Sequence, residues 1–364
     1  MMIENAQRSA TNHRRILLVR TDRLGDVILT LPMLPLLRAW FPDAFLAMLV
    51  RRYPGEIVQG NPHLDEILLY DRDGSEVPFA ELLRALRLRA FDTAFVVHPT
   101  PRLAWMVFRA GIKERVGTGY RPYSFLFNRR VYDHRKDARY HELEYNLRLL
   151  RAVKPDFPAS GVIPRFDIQV DPGARERVKG MVGPGVESGG KHLVVVHPGS
   201  GGSARDWPPE RFGDLAARLA ALPGTMVCVT GGPAEAALAR QVAAMAGADT
   251  LVFPGTLTLQ ELTALLEAST LMVGNSSGPL HLAVALGTPV VGLYPQHAAM
   301  SAGRWGPYTD KKRVLEPEKP PDCEECAGDR PAACTCMASI SVDEVFRACK
   351  DLLRSGDRKD VVHA

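Results

Sequence analysis

The stretch 271–293, LMVGNSSGPLHLAVALGTPVVGL, limits the possible folds of this chain more than any other. Its apolar start predicts a buried strand, and the turn-forming residues 274–278 then bend the chain. Pro279 suits the first position of a helix, apolar residues recur at helical spacing, and Gly287 is a typical helix stop. The apolar residues after Gly287 predict a second strand. The stretch therefore predicts a strand–helix–strand unit of a parallel sheet.

The turn inside this unit is the first candidate site. A helix that starts directly after a parallel strand directs its unpaired N–H groups at the sheet's carboxyl edge, where they attract phosphate or carboxylate. The candidate residues are Asn275, Ser276, Ser277, Gly278 and His281. His281, one turn into the helix, either faces such an anion or packs against the neighbouring turn. A well-capped helix with no ligand is the alternative for the whole turn.

Strand and helix patterns alternate along most of the chain, which predicts an α/β fold with two doubly wound, Rossmann-like parallel-sheet domains facing across a cleft. The second half repeats the alternation from His192 onward. Residues 155–190 are rich in proline and glycine, which places the domain boundary near residue 170. We expect a disordered polar segment over 1–13, domains over 14–170 and 171–340, and a final helix over 341–357. The second domain should contain an irregular stretch over 304–338, which includes a Cys-rich loop over 320–338.

Charge is small overall and uneven along the chain. The net charge of +4 does not favour nucleic acid as a partner, although residues 109–139 hold nine Lys or Arg against three Asp or Glu. Such a run is either solvated surface or a face for an anionic partner. The polar start is not typical of a signal peptide, and no apolar run is long enough to span a bilayer. We expect a cytosolic protein, with peripheral membrane contact left open.

Two further turns of the second half resemble the first. The loop HPGSGGSARDWP at 197–208 is rich in small residues, whose N–H groups can approach phosphate closely, and it contains a cation, Arg205. Thr230-Gly231-Gly232-Pro233-Ala234-Glu235 again enters a helix and places Glu235 within reach of a ribose hydroxyl. Three such turns on one sheet favour a nucleotide diphosphate site over turn geometry alone. The candidate contacts are Gly199, Ser200, Gly201, Arg205, Gly231 and Glu235.

The cysteines cluster near the end of the sequence. Cys323-x-x-Cys326 and Cys334-x-Cys336 could supply four thiolates to zinc, but the single-residue gap of the second pair is tighter than usual. The alternative is a loop of free thiols, since a cytosolic setting disfavours permanent disulfides.

Taken together, these motifs resemble the heptosyltransferase family of inverting bacterial glycosyltransferases, family 9, which has the GT-B architecture. The resemblance covers roughly residues 15–353. Arg15–Arg20 with Gly25-Asp26 and Pro32 looks like the family's N-terminal motif, and 197–208 looks like its phosphate loop. Residues 274–286 look like its donor signature. One departure is Ser276, which stands where many members carry an aspartate and brings no negative charge.

The resemblance implies a function. Asp26 takes the role of general base, although the same residue read alone would be a helix cap. The implied donor is ADP-heptose, bound without a metal, since helix N-termini, loop N–H groups and Arg205 can neutralise the leaving diphosphate. The implied acceptor is the phosphorylated, lipid-linked inner core of lipopolysaccharide at the cytoplasmic face of the inner membrane. We assign acceptor contacts to Arg20, Arg23, Arg129 and Arg130.

Two other interpretations stay open. The first is an enzyme of the same architecture that uses another nucleotide sugar, either a transferase or an epimerase. The second is a non-catalytic scaffold that binds a nucleotide, which the serine at position 276 permits and the retained Asp26 and Arg205 disfavour.

Overall fold

The computed structural model describes residues 15–183, 191–248, 250–318 and 335–357. The chain divides into two compact units. Among the described residues, 15–22, 30–134 and 143–165 form the first unit, and 23–29, 135–142 and everything from Phe166 onward form the second. Residues 23–29 and 135–142 therefore pack with the C-terminal unit, although the chain around them belongs to the N-terminal one.

The first unit is built on a six-stranded parallel sheet in the order β3-β2-β1-β6-β7-β8. Its strands, with the short antiparallel pair β4 and β5, are β1 (Arg15–Val19), β2 (Phe45–Val50), β3 (Glu66–Leu69), β4 (Asp71–Arg72), β5 (Ser75–Glu76), β6 (Thr93–Val96), β7 (Glu114–Thr118) and β8 (Arg129–Val131). The central strand β1 is buried from Ile16 to Val19, as expected for a strand covered on both faces.

Helices connect these strands. Those of the N-terminal half are α1 (Leu24–Ile28), α2 (Met33–Trp40), α3 (Arg52–Gly55), α4 (Phe79–Arg89), α5 (Pro101–Arg109) and α6 (Glu142–Arg148). The sequence predicts that the regular helix begins near Pro32, whereas the structure adds the separate helix α1 before it. Thr100 caps α5 by accepting a hydrogen bond from the Leu103 N–H, and Pro101 occupies its first turn.

The second unit has a six-stranded parallel sheet in the order β11-β10-β9-β12-β13-β14. Its strands are β9 (His192–His197), β10 (Thr225–Gly231), β11 (Leu251–Pro254), β12 (Leu271–Asn275), β13 (Val290–Leu293) and β14 (Lys312–Leu315). The unit predicted from residues 271–293 is present, with β12 pairing in parallel with both β9 and β13.

The helices from residue 172 onward are α7 (Pro172–Val182), α8 (Pro209–Ala220), α9 (Ala236–Ala246), α10 (Leu259–Ala268), α11 (Gly278–Ala285), α12 (Ala302–Trp305) and α13 (Val342–Asp357). Helix α7 lies where the sequence shows little apolar period, and β14 lies in a stretch expected to be irregular. Among the described helices, none is both long and apolar enough to cross a bilayer.

Candidate active site

The turn between β12 and α11 places two buried polar side chains at the start of a helix. Ser277 precedes α11 with an extended backbone, and its hydroxyl does not cap the helix. Ser277 and His281 are each 4% exposed, and within the described structure neither Ser277 Oγ nor His281 Nδ1 has a hydrogen-bond partner. A buried polar atom without a partner costs about 1–3 kcal/mol. The two atoms are therefore typical of a site that receives a polar ligand.

Burial determines the charge of His281. Burial, with a smaller contribution from the nearby His141, lowers the pKa of the imidazole to about 3. His281 is thus neutral at neutral pH and offers a ligand either a donor or an acceptor nitrogen without a charge.

Helix α1 lies directly against the start of α11. A Cβ placed on Gly25 would lie 2.8 Å from His281 Cδ2 and 3.4 Å from Gly278 Cα, and one placed on Gly278 would lie 3.1 Å from Leu24 Cβ. Glycines at both positions let the two backbones approach this closely. Asp26, half-buried in α1, follows Gly25 directly. The predicted base thereby lies within the same unit as the predicted donor signature, beside its helix.

The Glu235 carboxylate stabilises the loop that follows β9. This carboxylate accepts hydrogen bonds from the backbone N–H of Gly201 at 2.8 Å and of Gly232 at 3.1 Å, and it contacts the position that a Gly199 Cβ would take. Its other neighbour is His197, whose Nε2 lies 3.6 Å from Glu235 Oε2. The sequence predicts a ribose contact for Glu235; in the structure, one carboxylate oxygen accepts from the loop after β9 and the other from the turn that carries Glu235.

His197 is buried beneath the same loop. Its Nδ1 lies 2.9 Å from Thr230 Oγ1 on the neighbouring strand. Burial lowers the pKa of His197, and the Glu235 carboxylate opposes that shift. Burial also raises the pKa of Asp206 near the end of the loop. A hydrogen bond from Ser200 opposes this rise, and the Glu235 carboxylate adds to it.

Asn275 ties the ends of the loop together. The fully buried side chain accepts a hydrogen bond from the Trp207 N–H at 3.0 Å and donates to Pro198 O at 2.7 Å and to Asp206 Oδ1 at 3.2 Å. With its amide fully used in this way, Asn275 shapes the loop. Arg205 is 8% exposed, which is unusual for a guanidinium and places its charge inside the loop region.

Ser276 stands where many members of the resembled family carry an aspartate, and both its backbone and its side chain contact other residues of the protein. Its carbonyl accepts a hydrogen bond from Ser203 Oγ at 3.1 Å. Its side chain lies within hydrogen-bonding reach of Tyr294, where it counteracts the rise in the Tyr294 pKa that burial causes. The Tyr294 hydroxyl in turn donates to Trp305 O at 3.0 Å.

The arginines predicted to bind an acceptor differ in their surroundings. Arg20 is 2% exposed and donates from Nε to Asp22 Oδ1 at 2.7 Å. Arg23 is exposed. Arg129 and Arg130 lie exposed on β8, where Arg129 pairs with Glu114 at 2.9 Å and Arg130 donates to Phe127 O at 3.2 Å.

Comparison with known proteins adds an independent finding. The profile of glycosyltransferase family 9 (heptosyltransferase) matches residues 79–329, more than half of the chain. Lipopolysaccharide heptosyltransferase 2 of Salmonella typhimurium is 26% identical over 316 residues, which cover 83% of this chain and 87% of that protein. The chain belongs to glycosyltransferase family 9.

Solved structures show the same architecture as this family 9 chain. The structure of E. coli ADP-heptose LPS heptosyltransferase II has a TM-score of 0.77 at 22% identity, covering 94% of this chain and 99% of the other. E. coli heptosyltransferase WaaC with ADP has a TM-score of 0.70 at 18% identity, covering 93% and 99%. The fold is therefore GT-B, with two Rossmann-like units, and the chain is a glycosyltransferase enzyme of the heptosyltransferase family, related to proteins of lipopolysaccharide core synthesis.

Metal ligands are not grouped in the part of this family 9 chain that the structure describes. No cluster of three or more His, Cys, Asp or Glu suited to a metal ion occurs there. Of the four cysteines considered for zinc, Cys323, Cys326 and Cys334 lie outside the described residues, and Cys336 is half-buried. The zinc interpretation therefore stays a prediction.

Proposed function

We propose that this enzyme transfers heptose from ADP-heptose to a saccharide hydroxyl of the lipopolysaccharide inner core, with inversion at the anomeric carbon and Asp26 as general base. The observation that supports this best is a pair of buried polar atoms, Ser277 Oγ and His281 Nδ1, which lack hydrogen-bond partners among the described residues and lie at the start of α11 next to Gly25-Asp26. A structural relative holds ADP, which supports the same nucleotide here.

The donor diphosphate binds at the start of α11 in this proposal. Backbone N–H groups at the start of the helix, the Ser277 hydroxyl and a neutral His281 supply hydrogen bonds, and the helix dipole attracts the negative charge. Arg205 supplies the positive charge, and a charge-assisted bond to phosphate is about twice as strong as a neutral one. These groups stabilise the leaving diphosphate, so the proposed reaction needs no metal.

Asp26 acts on the acceptor in the transfer step. The acceptor oxygen attacks the anomeric carbon as its proton passes to the Asp26 carboxylate, and the bond to the diphosphate oxygen breaks on the opposite side. The bonding electrons leave with ADP. General-base assistance of this kind contributes about 10²–10⁴-fold in rate.

The identity of the donor is the finer part of the proposal. Ser276 is uncharged, and its side chain lies within hydrogen-bonding reach of Tyr294. A thermal-shift panel with ADP, UDP, GDP and CMP tests the nucleotide directly. Selective stabilisation by ADP supports the proposal, since ligand at about 100 times its Kd adds about 2.7 kcal/mol. Selective stabilisation by another nucleotide keeps a transferase and rejects ADP-heptose, and no shift with any of them contradicts nucleotide-sugar chemistry.

The acceptor is an anionic, phosphorylated saccharide in this proposal, and the exposed Arg129 and Arg130 on β8 supply positive charge for it. Replacing both with Ala should raise the acceptor KM and leave the donor KM unchanged. Arg135 is left intact because it pairs with Glu142, a buried carboxylate that also accepts from Arg304. An unchanged acceptor KM in the double variant would remove these two arginines from the acceptor site.

A lipid-linked acceptor also places the enzyme at a membrane surface, and one face of the first unit fits an anionic bilayer. We call it the aromatic–arginine face. Its members are Trp105, Phe108, Phe125, Arg109 and Arg115. The indole of Trp105 and the ring of Phe108 stack at 5.5 Å and are each 43% exposed, and Phe125 is 73% exposed.

Ring and guanidinium contacts join four of the five members of the face. The Arg109 guanidinium lies 5.5 Å from the Trp105 ring centre and that of Arg115 lies 5.4 Å from Phe108. Arg115 also donates to Leu126 O at 2.7 Å, next to Phe125. Aromatic rings enter the interface of a bilayer while arginines attract anionic headgroups. Co-sedimentation with phosphatidylcholine vesicles, with and without phosphatidylglycerol, should show binding only to the anionic ones, and Trp105→Ala with Phe125→Ala should abolish it.

A further inference from the structure

The carboxyl edge of the first sheet carries a pair of residues that the proposed reaction does not yet use. The strand order β3-β2-β1-β6-β7-β8 reverses between β1 and β6. In open parallel sheets, ligands bind outside the carboxyl ends of the strands at this switch point. Asp22 follows β1 and His98 follows β6, and the two strands stay in register to their ends, since the Val97 N–H donates to Val19 O at 3.0 Å.

Asp22 and His98 form a hydrogen-bonded dyad. His98 Nδ1 lies 2.9 Å from Asp22 Oδ2, and Asp22 Oδ1 accepts from Arg20 Nε at 2.7 Å. Burial alone would raise the pKa of Asp22, but Arg20 and His98 bring it below its usual value, so the carboxylate is charged. A carboxylate at Nδ1 fixes the proton of a neutral imidazole on that nitrogen and leaves the lone pair on Nε2.

The support of the dyad is buried while the imidazole itself is exposed. Arg20 is 2% exposed and Asp22 17%, whereas His98 is 51% exposed. Arg20 is fixed further by Asn146, which lies 3.3 Å away and donates to Thr30 Oγ1 at 3.3 Å. A buried ion pair is weak support for stability, because the cost of desolvation offsets the Coulomb attraction. This one holds the orientation of an exposed imidazole, which a binding site requires.

The two loops that carry the dyad are anchored separately. Tyr123 donates its hydroxyl hydrogen to Pro99 O at 2.7 Å, directly after His98. Arg51 donates from Nε to Thr21 O at 2.7 Å, directly before Asp22. Both hydrogen bonds end on backbone carbonyls, so they restrict where His98 lies without using the hydrogen-bonding capacity of its imidazole.

We propose that His98 is an acceptor-binding residue whose Nε2 accepts a hydrogen bond from a hydroxyl of the acceptor saccharide, and that Asp22 and Arg20 are positioning residues that act through it. This inference rests on the proposed function for the identity of the acceptor. No proton is transferred to or from His98 in this role, because the imidazole only binds and orients the sugar. The lone pair of His98 Nε2 has a fixed direction and accepts a hydrogen bond, so this position suits a ligand that carries hydroxyl donors, such as a saccharide.

Two substitutions of His98 distinguish the roles of its two ring nitrogens. The amide of His98→Asn reaches the place of Nδ1 and keeps the contact with Asp22, but it leaves nothing at Nε2. The amide of His98→Gln reaches the place of Nε2. With ADP-heptose and heptose-deficient lipopolysaccharide, His98→Asn should raise the acceptor KM about three- to tenfold, the loss expected for one hydrogen bond. His98→Gln should restore part of it, and the donor KM should stay unchanged in both.

Asp22→Asn should raise the acceptor KM in the wild-type background and have no further effect in His98→Asn, because it acts through the imidazole. His63→Asn is the matched control, since His63 lies before β3 at the opposite edge of the same sheet. It should leave both KM values unchanged. Additive effects of Asp22→Asn and His98→Asn would overturn the positioning role.

The outcome for His98 can be told apart from the outcome for the proposed function. If the wild type transfers heptose and His98→Asn leaves the acceptor KM unchanged, the acceptor-binding role of His98 is wrong and the proposed function stands. Absence of heptose transfer by the wild type contradicts the function, and the dyad is then tested without donor. Delipidated heptose-deficient core oligosaccharide should shift the Nε2 resonance of His98 in the nitrogen NMR spectrum, and an unshifted resonance at saturating saccharide overturns it.

Discussion

Gly25 lies so close to His281 that a methyl group on Gly25 would meet the imidazole Cδ2 at 2.8 Å. Real Cβ atoms essentially never approach a neighbour this closely, so Gly25→Ala must displace the imidazole or move α1 away from α11. The contact joins the motif that carries the proposed base to the helix that carries the proposed diphosphate site, both within the second unit.

Gly25→Ala should therefore lower both stability and activity. We expect a loss of about 1–3 kcal/mol in the free energy of unfolding, typical of overpacking a tight core, together with a higher donor KM. Gly180→Ala is the control, because Gly180 is exposed in α7 and, among the described residues, an added Cβ would meet no atom within 4 Å beyond the adjoining backbone of its own helix. That change should stabilise the protein by about 0.5–1 kcal/mol. Urea unfolding and steady-state kinetics measure both, and a neutral Gly25→Ala would contradict the close contact.

Asp26→Asn should reduce kcat by about 10²–10⁴-fold, the range for general-base assistance, and leave the affinity for ADP within about twofold. The asparagine keeps the size of the side chain but cannot take the acceptor proton. Asp43→Asn, an exposed aspartate in the turn before β2, provides the control and should leave kcat unchanged. Asp26→Asn activity within a few-fold of wild type would exclude this residue as the base.

Ser276 and Ser277 are neighbours with opposite expected behaviour. Ser277 Oγ is buried and has no partner in the described structure, so Ser277→Ala should stabilise the protein without ligand and weaken ADP binding. The loss of one hydrogen bond corresponds to about three- to tenfold in Kd. Ser276→Ala removes a side chain that lies at Tyr294, and should leave the Kd within about twofold.

Calorimetric titration with ADP and thermal unfolding of both serine variants measure these effects. Equal weakening of ADP binding in the two would show that Ser276 also turns toward the donor. An unchanged Kd in Ser277→Ala would remove its hydroxyl from the diphosphate site.

The regular parts of the fold follow from the sequence, and the differences have physical reasons. The unit at 271–293 is predictable because strand, turn, proline and glycine signals agree with one another. Helix α7 is hard to predict from the sequence because its three buried residues, Ala174, Val178 and Val182, are small or β-branched and lie among charged residues and glycines. Its capping by Asp171 and the proline at its first position are nevertheless visible signals.

The site is less predictable than the fold because residue type does not reveal a side chain's partner. Glu235 and Asn275 are polar residues in the right turns, but the structure uses them to hold the loop. Arg20 is an arginine at a carboxyl edge, and it is buried beneath Asp22. His98 closes β6 in a polar turn, which is a signal, but its pairing with Asp22 joins residues far apart in the chain and needs the strand order.

The pH dependence of stability should identify His281 as a buried neutral imidazole. Burial lowers its pKa to about 3 in the folded state, against about 6.5 in the unfolded chain, so the unfolded state binds the additional proton. The contribution of His281 is fully present above pH 6.5 and is lost as pH falls toward 3, at up to about 1.4 kcal/mol per pH unit. Between pH 7 and pH 5 this amounts to about 2 kcal/mol.

Because carboxylates also titrate as the pH falls, the measurement is a comparison of slopes between variants. His281→Asn removes the titrating group, and its free energy of unfolding from urea titrations at pH 7, 6 and 5 should fall less steeply than that of the wild type. Ser277→Ala, a change next to the same imidazole that removes no titrating group, should keep the wild-type slope. His197 is buried with its pKa lowered in the same direction, so a residual slope persists in His281→Asn. Equal slopes in the wild type and His281→Asn would show that His281 reaches solvent or carries a charge, and would contradict its proposed role as a neutral hydrogen-bonding group for the diphosphate.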